Sequence, residues 1–229
     1  MAGRRLLLAL CLLLAACFAA LGVWQVERRA WKLALIASVE ARIHAPPRPL
    51  PAGADLTKHL AYTRVRAHGV FLHDRETLVQ AVTDLGPGWW VMTPLRTQSG
   101  VVLVNRGYVP FERRDPASRA KAQSAGAATV TGLLRESEPK GGFLRSNDPA
   151  AGRWYSRDVA AIARARGLGP TLPFFIDADA TANIGGYPVG GLIVIQFRNN
   201  HLVYALTWFT LAGMALAGAV MLLRARDDR

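Results

Sequence analysis

The chain has 229 residues, with 28 Lys or Arg against 16 Asp or Glu, and a formal net charge of +12. Its apolar fraction of 51% fits two hydrophobic anchors added to an ordinary polar domain. Both cysteines, Cys11 and Cys17, fall in the first apolar run, so the rest of the chain has neither a disulfide nor a thiolate metal site, and the scattered basic residues do not make a nucleic-acid footprint.

Residues 1–5 form a short basic terminus, and residues 6–23 carry no charge. About 20 apolar residues cross a bilayer core, which places a first transmembrane helix at the short end of that range. Leu14-Ala15-Ala16-Cys17 has the form of a lipoprotein cleavage site, against the alternative of small residues in a membrane helix. Residues 24–44 continue as a helical stalk. Trp24 and Trp31 suit the head-group region there, and Arg28, Arg29 and Lys32 suit lipid phosphates. A Pro-rich linker follows at 45–54.

The segment 24–200 retains 23 basic and 14 acidic residues once the five Arg and two Asp outside it are removed, and is long enough for one domain with its own core. Alternating or β-branched runs predict strands at Tyr62–Leu72, Thr77–Thr83, Trp90–Arg96, Val101–Val109 and Thr129–Leu134, the first four as an antiparallel meander. Asp84–Gly88 and Gln98–Gly100 are the connecting turns. Asp158 and Gly167 bracket a short helix over Val159–Arg166. Phe174–Ile176 and Leu192–Phe197 complete the sheet. Strand alternation places one ring of Trp89 and Trp90 in the core and the other outside.

A second uncharged run gives a transmembrane helix over 201–223, with a tail at 224–229. Arg4 and Arg5 before the first span, with Arg224, Arg226 and Arg229 after the second, favour both termini in the cytoplasm and the domain outside it. The fold class is therefore an α+β membrane protein. Two transmembrane helices bracket a β-rich, antiparallel, barrel-like extracytoplasmic domain with a short helix.

Signatures of common enzyme chemistries are missing: no Walker loop, nucleophile elbow, paired-His metal helix or dinucleotide fingerprint. Gly185-Gly186 and Gly190-Gly191 around Pro188 read as turns. His59, His68 and His73 with Asp74 or Glu76 are a weak candidate for a divalent ion, since their spacing fits no defined geometry. His201 stands apart. It opens the second span, with Tyr204 and Trp208 following at helical spacing, where an imidazole could hold the iron of a flat macrocycle or simply be hydrated at the interface.

Several blocks resemble the surfeit locus protein 1 family of cytochrome c oxidase assembly factors, nearly end to end. They are Leu21–Leu33; Tyr62–Gly69 with Phe71; Gly88–Leu95; Val104–Pro110; Gly132–Pro139; Asn147-Asp148 with Trp154–Asp158; Pro188 with Gly190-Gly191; and Asn199–Phe209. Leu192–Phe197 departs from the family pattern in being more apolar. The resemblance implies an assembly factor rather than an enzyme, with haem a as its cofactor. His201 matches a histidine proposed as a haem a ligand in bacterial relatives. Tyr204 and Trp208 would cover the macrocycle, and Arg198 would pair a propionate. Implied partners are the catalytic subunit of cytochrome c oxidase, haem a synthase and membrane lipid, with no nucleic acid. The implied location is a bacterial inner membrane, with the main domain in the periplasm and only Met1–Arg5 ahead of the first span. The alternative is a haem-free scaffold for an oxidase subunit. Within the resemblance, Asn105 and Arg106 weigh toward fixing the fold by buried polar contacts, with ligand binding as the other reading.

Overall fold

The computed structural model describes residues 2–51, 61–123, 125–142, 144–192 and 197–224. These form two compact units, a helical pair and a β-rich domain.

The first helix, α1, runs unbroken over Ala2–His44, with no Pro or Gly-rich break until Pro46. At 1.5 Å per residue it is about 64 Å long, roughly twice the thickness of a hydrocarbon core. The last helix, α3, spans His201–Arg224, and both are long and apolar enough to cross a membrane. Leu6, Leu13, Leu206 and Met221 face outward from them, fully in keeping with a lipid solvent.

In the second unit the strands are β1 (Arg48–Pro49), β2 (Arg64–Phe71), β3 (Thr77–Thr83), β4 (Gly86–Thr97), β5 (Gly100–Pro110), β6 (Ala127–Glu136) and β7 (Thr171–Ala178). A short helix, α2, covers Val159–Arg166 between β6 and β7. Pairings β2–β6, β6–β7, β7–β5, β5–β4 and β4–β2 close a five-stranded barrel, to which β3 and the short β1 are added at the sides. The closure refines the expected meander in two ways. β2 pairs with β4 and β6 instead of with β3, and β5 lies parallel to β7, so that the sheet is mixed. The predicted Leu192–Phe197 strand falls largely outside the described residues, as do His59 and the tail beyond Arg224.

Pro94 in the middle of β4 shows how the closure is tolerated, since a central strand ordinarily rejects proline. β4 pairs with β3 through Met92 and with β2 from Leu95, and Pro94 stands at the change of partner. Its missing N–H is not needed there, while its carbonyl accepts from Leu72 N at 2.8 Å.

β5 is buried over all nine residues from Val101 to Val109, because both of its faces are covered. Val102 and Val104 point into the barrel with Val65, Leu95, Leu134 and Ile176. Val101 and Leu103 point the other way, into a second core roofed by α2 through Val159 and Ile162 and filled by Trp154 and Phe175. Asp158 accepts from Ala161 N at 3.0 Å to cap α2, and Gly167 ends it in the left-handed conformation. Trp90 lies against this second core, whereas Trp89 meets Phe111 edge-on and lies under Arg114.

Candidate functional site

The two apolar helices form an antiparallel seam whose period is 3.5 residues. On α1 the covered positions are Arg4, Leu8, Cys11, Ala15, Phe18, Gly22, Gln25, Arg29 and Lys32, alternating steps of four and three. On α3 the same alternation runs through His201, Ala205, Trp208, Ala212, Ala215, Ala219 and Leu222, and Leu211 and Gly218 on α3 and Ala19 on α1 are covered beside it. Small residues dominate because lipid supplies no hydrophobic drive to join the helices, and close backbone approach is what remains. Phe18 stacks on Trp208 with ring centroids 5.7 Å apart. Gly22 leaves room for Phe209, whose ring would lie 2.6 Å from any Cβ placed there. Arg4 Nε donates to the Leu222 carbonyl at 2.9 Å, setting a cation on the C-terminal end of α3.

At the N-terminal end of α3 the seam ends in a polar pair. His201 Nδ1 lies 2.7 Å from Gln25 Oε1, and Gln25 is only 9% exposed. With the Gln25 amide oxygen toward the ring, an imidazole that carries its proton on Nδ1 donates to it and presents Nε2 as a lone pair. This is the arrangement in which an outer partner fixes the tautomer and orientation of a ligating histidine. Tyr204, one turn on, is 54% exposed. Trp208 is half-buried in the seam with one ring face against Phe18, and Arg198 is exposed in the segment before α3. Sequence reasoning named His201, Tyr204, Trp208 and Arg198 but passed over Gln25. The signal that could have found Gln25 is its place in the 3.5-residue series, the only amide in it.

His59 of the alternative histidine cluster lies outside the described residues, and His68 and His73 are engaged elsewhere. His68 Nδ1 is 3.1 Å from Thr129 Oγ1, and His73 lies against the Phe71 ring. Among the described residues no group of three or more His, Cys, Asp or Glu is placed to hold a metal ion.

The β-rich domain holds a second polar centre, in which Asn105 makes the buried polar contact expected of it and the other members were not foreseen. Asp177 on β7 is 4% exposed and accepts from Asn105 Nδ2 at 2.9 Å, Arg135 Nη1 at 2.9 Å and Arg157 Nη1 at 3.1 Å. Arg157 also donates through Nε to Glu138 at 3.0 Å and lies over the Phe175 ring. Burial pushes the Asp177 carboxyl up, against the pull of the two guanidinium groups and Asn105. Burial also works to raise Glu138, but the Arg157 hydrogen bonds outweigh it and hold that carboxyl below its ordinary value. Asn105 Oδ1 accepts from Gly107 N as well, so Asn105 fixes the backbone at the end of β5. These groups satisfy one another and tie β5, β6, β7 and the segment before α2 together.

A two-span membrane protein with a closed β-barrel domain and a histidine–glutamine pair in its helical seam is the class these features define. The profile of the SURF1 family matches residues 12–213. Surfeit locus protein 1 of Homo sapiens is 38% identical over 210 residues, covering 84% of this chain and 69% of its own length. The SURF1-like protein of Monosiga brevicollis is 38% identical over 91% of this chain and 84% of its own, and Surfeit locus protein 1 of Takifugu rubripes is 34% identical over 83% and 86%. The chain belongs to the SURF1 family.

Proposed function

We propose that this protein serves the assembly of cytochrome c oxidase by holding haem a for delivery to the catalytic subunit. Membership of the SURF1 family supports the assembly role. The observation that carries the haem role is the His201–Gln25 pair, which orients a neutral imidazole with Nε2 unused at the start of a membrane span. A lone histidine suits an iron already held by a macrocycle, since a bare ion needs several protein ligands and none are gathered among the described residues.

His201 would hold the group through Nε2, Gln25 would keep that nitrogen presented, and Arg198 would offer a cation to a propionate. Tyr204 adds an exposed ring one turn along. Trp208, engaged with Phe18, sets the spacing of the two spans beneath the site. His201 would hold haem a through its imidazole, and the bound group would supply the iron that the imidazole ligates. The protein contributes retention and orientation, with no acid–base or nucleophilic step. The location in keeping with this reading is a bacterial inner membrane, with both termini cytoplasmic, the barrel in the periplasm, and the catalytic subunit and haem a synthase as partners.

The test is oxidase maturation in cells whose only copy carries His201→Ala. Loss of haem a from the catalytic subunit, with the variant present at normal abundance, is expected. Normal haem insertion would instead mark the protein as a haem-free scaffold.

A further inference from the structure

Arg28, Arg29 and Lys32 stand just past Val26, the last residue of α1 before its charges resume, and Glu27 is the only acid on that helix before Glu40. At about 100° per residue the three cations share an arc of about 100°, with Lys32 between the two arginines and Glu27 turned about 140° away from Lys32. No carboxylate among the described residues pairs with any of them. Two are held by rings instead. The Arg28 guanidinium carbon lies 4.0 Å from the centre of the Trp31 ring, and Lys32 Nζ lies 5.7 Å from that of Phe197. A ring face orders a cation without occupying its N–H donors, so both remain able to donate to an anion. Arg28 is exposed and Arg29 and Lys32 are partly so, which leaves the cluster open to the surroundings of the helix.

The same side of α1 is apolar below the cluster. Leu10, Leu14, Leu21 and Trp24 fall within about 40° of the direction of Arg28, and all four are exposed. Because α1 is unbroken, the stripe and the cations keep one register. Along the axis the cations lie about 3–9 Å past Val26, the depth of a head-group layer about 5–7 Å thick. A soluble anion would use the cations alone. A molecule with a negative head and long hydrocarbon chains uses both features.

We infer that this side of α1 binds an anionic phospholipid, its phosphate on Arg28, Arg29 and Lys32 and an acyl chain along Leu21, Leu14 and Leu10. A zwitterionic lipid would bring its own cation to a cluster with no acid to meet it, so the site selects head groups of net negative charge. The binding needs neither His201 nor any haem.

The full chain is made in cells that do not make haem a, so that no propionate competes for the cations. It is reconstituted into phosphatidylcholine bilayers with a trace of spin-labelled phosphatidylglycerol or spin-labelled phosphatidylcholine, and the motionally restricted fraction of each label is read by electron spin resonance. The wild type is expected to restrict phosphatidylglycerol more strongly than phosphatidylcholine. Arg28→Gln with Lys32→Gln should weaken phosphatidylglycerol association about fivefold for each cation removed and leave phosphatidylcholine unchanged. Arg96→Gln, which removes an exposed charge from β4, should change neither. Equal association of the two labels with the wild type, a preference that survives the double variant, or one that falls as far with Arg96→Gln, would overturn the inference.

Discussion

The helical pair and the barrel bury their polar groups under opposite rules. In the seam, Ala205, Ala212, Ala219 and Gly22 bring two backbones together, and polar contacts stand at its two ends, Arg4 to the Leu222 carbonyl at one and His201 to Gln25 at the other. In the barrel domain, large aliphatic residues fill two cores, and a buried carboxylate, Asp177, is neutralised by two largely covered guanidinium groups that the more exposed Glu138 also pairs. A charged network that satisfies itself holds a fold. A single oriented imidazole with a spare lone pair leaves something to be satisfied from outside, and that contrast is why the cofactor reading rests on the seam and not on the more heavily charged centre.

The sharpest way to break the comparison is Asp177→Ala. It leaves Arg135 and Arg157 with only the more exposed Glu138, and loss of one member of a buried ion pair costs about 3–5 kcal/mol. Thermal unfolding should show that loss with the helical content of the spans retained. A loss below about 1 kcal/mol, the level of a surface pair, would show the centre to be solvated.

The seam should respond to bulk and not to charge. Gly218→Cys places a thiol beside Cys11, whose sulfur is 3.7 Å from the Cβ position at Gly218, so mild oxidation should cross-link α1 to α3. Gly22→Leu in that background forces the helices apart around Phe209, an overpacking cost of about 1–3 kcal/mol, and should slow cross-linking while leaving the barrel's unfolding midpoint unchanged. Equal cross-linking rates would mean that small residues do not set the spacing.

The smallest effect is on pH dependence. Glu138 has a folded-state pKa below its ordinary 4.5, so its contribution to stability is fully present above that value and is lost as the pH falls through the lower folded value. Asp177, pushed up by burial, acts in the opposite sense in the same acid range. Glu138→Gln should therefore lower stability near neutral pH and flatten its decline below about pH 4.5. An unaltered acid limb would remove Glu138 from the network.

Local chemistry made much of this legible in advance. β3 at Thr77–Thr83 and α2 at Val159–Arg166 agree with their expected limits because Asp84, Asp158 and Gly167 punctuate the chain beside them. His201 was legible from its place at the mouth of a span. Barrel closure was not, because the β2–β4 and β5–β7 pairings join segments far apart in sequence through no shared motif. Of the Asp177 centre only Asn105 was legible, as a buried polar contact, because Arg135 with Glu138, Arg157 and Asp177 come from separate segments that meet only on folding. Gln25 was hidden by a choice of period, since its stripe repeats every 3.5 residues and Val23, Trp24 and Val26 adjoin it in sequence.

The central claim is that His201, oriented by Gln25, holds haem a. It is tested most directly by purifying the protein in detergent from cells that make haem a and recording reduced haem spectra of the wild type, His201→Ala and Gln25→Leu. The account predicts haem a on the wild type, none on His201→Ala, and about 10- to 100-fold weaker retention on Gln25→Leu, the usual cost of losing an outer partner. Equal haem a on the wild type and His201→Ala, or none on any of the three, would contradict it.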